Sequence, residues 1–482
     1  MKKVKNVLAM TLAVLMLLGM VACAGSKEST APATENTASS NESQTTAPAT
    51  ETETEEAPAE EPAEVVEITV YDEQTDLTGV NVYYKQRQDE FDELYGDTIK
   101  VTHLTAPSGA DADASVVQSI STLFMNNDKP AFYKVTSTFY AKDLYNLGMA
   151  ADISAYVGEL AHYDSMYESC KEALVVGDQI IGIPEQISGP MLAFRRDALE
   201  AAGYDPDTFT CETWDDYYEV AKKMTTDEQY GASIYAAEYF LWPYPWFMSN
   251  GAEPAVQNAD GTITLDFTDE EFVDTIEFLR KLYQEGLTNP TVDYASLDDM
   301  MTNIFTGKVA SFTMYPSWSS WFAGEGVTPD NVKLVSYPAG PSGTSWGAIY
   351  SGAFVFNPTL SEAELKAAIK YVDFVWSGYD RWVGLGEYRV ENGSSAITVP
   401  CYSDFDWLPY AGDIPADWVE GVKVQIETGK LSDVSSTAWT NYLLPILPKL
   451  ITDANVDIIA ELEAAQATCT SEWLDDYNAQ FE

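Results

Sequence analysis

The sequence from residue 65 onward predicts an α/β fold, because short strand patterns alternate with helical ones. Residues 66–71 alternate in polarity with a period of two, which is typical of a strand with one buried face. Residues 98–104 and 132–135 predict two further strands, and the apolar spacing at 84–95 and 114–126 predicts helices between them. Strands separated by helices indicate βαβ units, so we expect a mostly parallel sheet.

Capping residues predict the helices farther along the chain. Thr213 precedes acidic residues and predicts a helix that runs to Met224. Thr268 predicts a second helix, and Ser361 predicts a third that continues to Val375. The second of these helices places its apolar residues on one face: Phe272, Ile276, Leu279 and Leu282.

Composition and charge restrict the class of protein. The chain has 482 residues, 46% of them hydrophobic and 12% aromatic, which is enough to fill the cores of two domains. A formal net charge of -50 argues against nucleic acid as a partner, since phosphate binding needs an excess of Lys and Arg.

Neither a metal nor a cofactor is expected. The pair Asp111 and Asp113 lacks the further oxygen ligands of a calcium loop. The cysteines after Cys23 have neither CxxC nor Cys/His zinc spacing, and their pairing stays open between disulfides and scattered buried thiols: Cys170, Cys211, Cys401 and Cys469.

The N-terminal residues predict secretion and a lipid anchor. Residues 1–22 have a basic start, an apolar run and a small residue before the expected cleavage site, as secretory signals do. Cys23 follows directly and resembles the lipidated Cys of bacterial lipoproteins; ordinary signal cleavage beside an incidental Cys is the alternative. Residues 23–64 contain no aromatic or branched aliphatic residue and predict a disordered acidic tether. We therefore expect the protein on the outer face of the cytoplasmic membrane, attached through the lipid alone.

A series of short motifs follows in the globular part. In chain order after MAADIS at 149–154, they are GDQIIGIP at 177–184, MLAFRRD at 191–197, AGY at 202–204, TWDD at 213–216, FTGKVASF at 305–312, GPSG at 340–343 and GAFVF at 352–356. Their order and spacing resemble the extracellular solute-binding proteins of ABC importers, family 1, of the maltodextrin-binding type.

This resemblance implies a two-lobe periplasmic-binding-protein type II fold, with crossing strands and a cleft between the lobes. Lobe 1 would take residues 65–184 plus 352–384, and lobe 2 residues 185–351 plus 385–482. It also implies a monomer that captures a carbohydrate, an oligosaccharide, in the cleft and delivers it to separate ABC permease subunits.

A sugar site needs flat aromatic side chains and a few polar groups, and three local motifs supply candidates. The segment AEYFLWPYPW at 237–246 resembles the family's EPYFTWP and proposes Glu238, Tyr239 and Trp242 as ligand contacts. The segment TMYPSW at 313–318 resembles TINGPW and adds Trp318, and STAW at 436–439 resembles SAFW and adds Trp439.

Four further candidates come from the expected crossing strands. Glu185 and Gln186 directly follow one of them, where they would either bind hydroxyl groups or only satisfy the hinge. Trp346 and Tyr350 lie between a Gly-rich loop and the return strand, at the mouth of the cleft. For each aromatic candidate, packing in the core is the alternative role.

Asp72 and Ser137 complete the candidate set, and they mark departures from the family. Asp72 ends the first strand in a segment unlike that of the maltose-binding type, and Ser137 falls where that type has a first-lobe Trp. Sugar binding is therefore expected, whereas maltodextrin specificity is not.

The sequence gives less support to other classes of function. A secreted glycoside hydrolase would need two isolated carboxylates, and the 76 Asp and Glu residues single out no pair. Neither GxSxG, GxGxxG nor a P-loop occurs, and His103 and His162 have no nucleophile motif beside them. We therefore expect no enzyme; the alternatives are a secreted glycoside hydrolase, a surface scaffold, and a binding protein for a polyol or a glycerol phosphate.

Overall fold

The computed structural model describes residues 65–105, 116–125, 130–236, 243–258, 260–293, 297–393, 397–412, 414–431, 437–479 and 481. All of them belong to one compact unit, Pro62–Glu482. The predicted signal, Cys23 and the tether lie outside the described residues, and so does the segment that holds Glu238, Tyr239 and Trp242.

Strands and helices alternate along the described chain. The strands are β1 (Val66–Val70), β2 (Ile99–His103), β3 (Phe132–Val135), β4 (Val175–Val176), β5 (Gln179–Ile180), β6 (Ile183–Ser188), β7 (Met191–Arg195), β8 (Ala255–Gln257), β9 (Ile263–Leu265), β10 (Ser311–Met314), β11 (Val332–Val335), β12 (Gly347–Phe356), β13 (Val399–Pro400) and β14 (Gly429–Leu431). The α-helices are α1 (Val80–Tyr95), α2 (Val116–Met125), α3 (Thr138–Asn146), α4 (Glu168–Glu172), α5 (Arg196–Ala201), α6 (Trp214–Met224), α7 (Tyr244–Met248), α8 (Glu270–Gln284), α9 (Leu297–Phe305), α10 (Ser319–Gly324), α11 (Glu362–Val372), α12 (Tyr379–Glu391), α13 (Ala416–Glu427), α14 (Leu447–Thr452), α15 (Ile458–Cys469) and α16 (Asp475–Asn478).

Strand β12 is the longest and joins distant parts of the chain. Its first residues pair with β14 in parallel, and its last four pair with β3 in antiparallel orientation. Strand β6 runs antiparallel along the middle of β12, and the register shifts between Ser351 and Ala353. We identify β6 and β12 with the expected crossing strands, because β12 pairs with β14 at its start and with β3 at its end.

The expectation of a mostly parallel sheet was wrong. Among the described strand pairs only β1 with β2 and β12 with β14 are parallel. β7 pairs antiparallel with both β10 and β11, and β6 pairs antiparallel with β12 and β13. The partners in these pairs come from segments far apart in sequence, so the local strand–helix alternation did not determine their direction.

Two of the three predicted caps are confirmed. The Thr213 and Ser361 side chains each accept a hydrogen bond from the backbone three residues later and form reciprocal capping boxes. The start of the second predicted helix was misplaced by one residue, since α8 begins after Asp269 and not after Thr268.

Buried side chains form the predicted apolar faces. On α8, the four apolar residues expected on one face are all buried, and they pack in a cluster that extends to the C-terminal helices. A second cluster joins β1, α1 and α11, where the ring of Phe91 meets Tyr371 edge-on at 5.0 Å. None of the described helices is both long and apolar enough to cross a membrane.

Candidate functional site

A cavity of about 390 Å³ opens beside β3 and the end of β12, and we call it the Trp376 cavity. Six aromatic residues line its wall: Tyr71, Tyr84, Phe132, Tyr133, Phe354 and Trp376. The polar side chains on the same wall are Asp72, Glu73, Gln74, Asn81 and Lys134. A wall of rings with a few polar groups is the composition that a sugar ligand requires.

Asp72 organises one side of this cavity. Its carboxylate is 6% exposed and accepts hydrogen bonds from His103 Nδ1 at 2.8 Å, from the Tyr371 hydroxyl at 2.6 Å and from Trp376 Nε1 at 3.1 Å. Its backbone carbonyl accepts another from Gln88. Both carboxylate oxygens are therefore engaged with the protein, and Asp72 holds Trp376 in place.

The Asp72 carboxylate also determines the charge of His103. Burial alone would lower the pKa of the imidazole, but the hydrogen bond and the negative charge of Asp72 outweigh it and raise the pKa above its ordinary value. Tyr371 has its pKa raised by burial and by the same carboxylate, so it stays a neutral donor.

Lys134 and Glu185 form an ion pair between β3 and β6. The ammonium lies 2.9 Å from the carboxylate, which is 7% exposed. Partial loss of water contact opposes the charge of Lys134, whose side chain is 45% exposed, but the charge of Glu185 more than compensates and raises the lysine pKa. At Gly352 a Cβ atom would lie 3.0 Å from a Glu185 oxygen and 3.1 Å from the Val135 carbonyl, so the glycine makes room for this carboxylate.

Tyr84 and Trp376 pack against each other in the cavity wall, and Arg381 lies behind Tyr84. The rings of Tyr84 and Trp376 lie 4.8 Å apart at 35°. Arg381 is 1% exposed and donates from Nη2 to the Tyr84 hydroxyl at 2.9 Å. Lys134 Nζ lies 5.5 Å from the centre of the Trp376 ring, within the range of a cation–π contact. Positive charge therefore lies on two sides of this aromatic pair.

A second group of aromatic residues includes Tyr350, which lies in the first half of β12. Trp318 is half-buried and its ring lies 4.5 Å from Tyr315, which is followed by Tyr350 on β12 at 6.3 Å. The ring centre of Tyr350 lies 6.2 Å from that of Tyr244, and the Tyr244 ring packs edge-on against Trp439 at 5.4 Å. The structure thus connects three of the predicted residues, Trp318, Tyr350 and Trp439, in one chain of rings.

The members of this chain differ in exposure. Trp439 is 2% exposed and is enclosed by Phe247 and Phe272 as well as Tyr244, so its ring is part of the core. Trp318 keeps an accessible part and lies beside Trp321, which is 39% exposed. The ligand roles of these residues stay predictions, and Trp318 has the exposure that such a role needs.

The remaining predicted residues lie elsewhere on the crossing strands or beside them. Trp346 is half-buried beneath the Lys430 ammonium at 4.2 Å from its ring centre. Gln186 is half-buried and pairs through its backbone with Pro400. Ser137 is buried where β3 turns into α3. The structure therefore brings Asp72 and Glu185 close to one cavity, while Trp346 and Gln186 are separate from it.

Sequence reasoning missed Tyr84, Lys134 and Trp376. Tyr84 was treated only as part of a helix, and Trp376 directly follows the predicted end of the helix that Ser361 caps. Lys134 occupies the only polar position of the short strand FYKV, whose other three residues are buried. A charged residue inside an otherwise buried strand is a signal that could have drawn attention to it.

A model of the bacterial extracellular solute-binding protein family matches residues 74–377, which is more than half of the chain. The lipoprotein LipO of Bacillus subtilis is 26% identical over 307 residues, covering 58% of this chain and 56% of that protein. The polygalacturonan/rhamnogalacturonan-binding protein YtcQ of the same organism is 21% identical over 255 residues, covering 48% of each chain. The chain thus spans about half the length of these curated relatives.

The similarity of fold extends over more of the chain. The sugar-binding protein MalE from Xanthomonas citri superposes with a TM-score of 0.66 at 15% identity, over 86% of this chain and 98% of that one. This likeness confirms the predicted two-lobe fold with crossing strands. The family binds solutes and is not one of enzymes, which confirms the expectation of a binding protein in place of a hydrolase. The chain belongs to the bacterial extracellular solute-binding protein family.

Proposed function

We propose that this protein is the substrate-binding component of an ABC importer and captures a carbohydrate, an oligosaccharide, between its two lobes. The observation that carries the proposal is the Trp376 cavity, an aromatic wall with the Lys134–Glu185 pair at its edge. Relatives and structural neighbours named for polysaccharide or sugar binding support the same substrate class.

The two aromatic groups suggest how the ligand is held. The crossing strands carry Glu185 toward the Trp376 cavity and Tyr350 toward Trp318. A sugar that bridges both groups would stabilise a closed arrangement of the lobes, and the free protein would favour an open one. The lobe boundaries remain those proposed from the sequence, residues 65–184 plus 352–384 against 185–351 plus 385–482.

Delivery and location are part of the same proposal. Lipid on Cys23 and the acidic tether would keep the monomer on the outer face of the membrane, close to its permease, which raises its effective concentration there. Replacing Cys23 by Ser tests this, because the variant should appear in the culture medium while the native chain stays with the membrane fraction.

A thermal-shift screen tests the substrate class. The purified protein is melted with neutral and acidic oligosaccharides, monosaccharides, polyols, glycerol phosphates and peptides. A ligand bound only by the folded state raises the melting temperature. We expect a rise with one class of oligosaccharide; a rise confined to peptides, or to polyols and glycerol phosphates, would refute the carbohydrate proposal.

A further inference from the structure

Two side chains of the Trp376 cavity, Lys134 and Tyr84, have donor groups that a ligand could use. Lys134 gives one hydrogen bond to Glu185 at 2.9 Å, which leaves the other two N–H groups of its ammonium without an acceptor in the described part of the chain. The two Asp72 oxygens already accept from protein donors. The acceptors on the cavity wall are the exposed carboxylate of Glu73, which takes one hydrogen bond from Thr105, and the side-chain amide oxygens of Gln74 and Asn81.

Tyr84 is a donor for a specific reason. Its hydroxyl oxygen accepts a hydrogen bond from Arg381 Nη2, and among the described residues its own hydrogen has no acceptor. Because the guanidinium occupies one side of the oxygen, the O–H group must point away from Arg381. Tyr84 lines the cavity, so this hydrogen is available to a ligand there.

The guanidinium behind Tyr84 is buried without a counter-ion. Arg381 is 1% exposed, and its Nε and Nη1 atoms have no hydrogen-bond partner. The described ion pairs of arginine involve Arg87 and Arg196, but neither Arg381 nor Arg389. Arg389 is close enough for the charge of Arg381 to help lower its pKa, an effect that adds to the larger one of burial.

This positive charge stands out in a chain whose formal net charge is -50. Burying a cation without a partner is unfavourable, and an anion that approaches it is stabilised more than it would be in water. Arg381 would act on a ligand through the Tyr84 hydroxyl that it polarises, while Lys134 would contact the ligand directly.

We infer that the oligosaccharide carries a carboxylate, and that Lys134 and Tyr84 bind this uronate group in the Trp376 cavity. The inference rests on the proposed function and specifies its substrate class. Lys134 supplies the positive charge, the Tyr84 hydroxyl supplies a second donor, and Glu73 accepts from a sugar hydroxyl. The aromatic wall covers the apolar face of the ring.

Titration calorimetry with wild-type protein tests the inference through a matched pair of ligands. Trigalacturonate and its methyl ester have the same sugar skeleton and differ in charge. We expect the acid to bind at least about tenfold more tightly, the scale of one charge-assisted hydrogen bond, and the preference to shrink as salt is added. Equal affinity for acid and ester, or tighter binding of the ester, would overturn the inference.

Two variants test which residues produce the preference for the acid over the ester. Lys134→Met removes the charge and Tyr84→Phe removes only the hydroxyl, so each should reduce the preference for the acid severalfold. Lys100→Met is the control, because Lys100 is 62% exposed on β2 and should leave the preference unchanged. A preference that survives in Tyr84→Phe and, where that variant folds, in Lys134→Met would contradict the assigned residues.

The failure of this inference is distinguishable from failure of the proposed function. If a neutral oligosaccharide such as maltotriose binds and trigalacturonate does not, the carbohydrate proposal stands and the inference is wrong. If neither binds, and the thermal-shift screen shows a rise only with a ligand other than a carbohydrate, both are wrong.

Discussion

The carboxylate of Asp72 accepts a hydrogen bond from the indole nitrogen of Trp376 across 304 positions of sequence, at 3.1 Å. The same carboxylate accepts from Tyr371 and His103, so a single acidic side chain ties the end of β1 to the segment after α11. The Trp376 ring in the cavity wall is thereby held in place before any ligand binds. Such preorganisation lowers the entropic cost of binding.

Replacing Asp72 by Ala should therefore affect both stability and binding. Two buried donors, Tyr371 and Trp376, and the partly buried His103 would lose their acceptor, and we expect the free energy of unfolding to fall by about 2–4 kcal/mol. Urea denaturation measures this fall, and calorimetry on the folded variant should show weaker ligand binding because Trp376 is no longer held. Asp76→Ala is the control, since Asp76 is exposed and, among the described residues, its side chain accepts a hydrogen bond from Thr78 alone. Equal stability of the two variants would contradict the role of Asp72.

His103 should make stability depend on pH. Because its pKa is raised in the folded state, its contribution is fully present below the ordinary histidine value of about 6.5 and is lost as pH rises through the folded value. We predict that wild type is more stable than His103→Gln at acidic pH and that this difference narrows as the pH becomes alkaline. Melting curves of both proteins over this range measure it.

Wild type must be compared with His103→Gln because other groups titrate in the same pH range. Burial raises the pKa of Asp373 to about 6, and burial with the neighbouring Glu271 raises that of Asp269 to about 6. Both are present in wild type and in the variant, so their effects cancel in the difference. A difference that does not change with pH would show that the Asp72–His103 pair contributes no proton linkage.

Trp318→Ala tests the second aromatic group. The ring is half-buried against Tyr315 and stands next to exposed Trp321, so we expect a loss of about 1–3 kcal/mol in ligand affinity with little change in stability. Calorimetry measures the affinity. Trp473→Ala, at a half-buried ring among the C-terminal helices, is the control and should bind as wild type does.

Trp439→Ala should behave differently. The ring is 2% exposed and enclosed by three other aromatic rings, so its removal leaves a cavity in the core. We expect the free energy of unfolding to fall by about 3–5 kcal/mol. A stable variant with weakened sugar binding would instead show that the ring contacts ligand in another conformation of the protein.

The four cysteines in the described residues should be unreactive thiols. All are free and buried, and burial together with its neighbour Cys401 raises the pKa of Cys170 well above the ordinary value, while burial raises that of Cys469 to about 12. We predict slow labelling by a thiol reagent in the native protein and fast labelling of all four in denaturant. Protection that persists in denaturant and disappears with a reductant would reveal disulfides.

Local sequence patterns were sufficient for the elements that depend on neighbours. The alternation at residues 66–71 and the capping box at Thr213 involve groups within a few positions, and both are in the structure. Strand direction was not predictable in this way, because β12 pairs with β3 and β6, which lie more than a hundred residues away in sequence.

The candidate site shows the same division. The ligand role expected of Asp72 stays a prediction, whereas nothing in the sequence indicated that its carboxylate accepts hydrogen bonds from Tyr371 and Trp376, about 300 residues later. The cation behind Tyr84 comes from Arg381, which no local motif connects with α1. These relationships arise from tertiary packing, and sequence spacing gives no indication of them.

Hydroxyl-radical footprinting with and without a saturating oligosaccharide tests most directly whether one ligand bridges the crossing strands. We predict that labelling of Tyr84 in the Trp376 cavity and of Trp318 in the second aromatic group decreases together, while Trp473 is unchanged. Protection of only one of the two rings, or of neither at saturation, would contradict binding between the lobes.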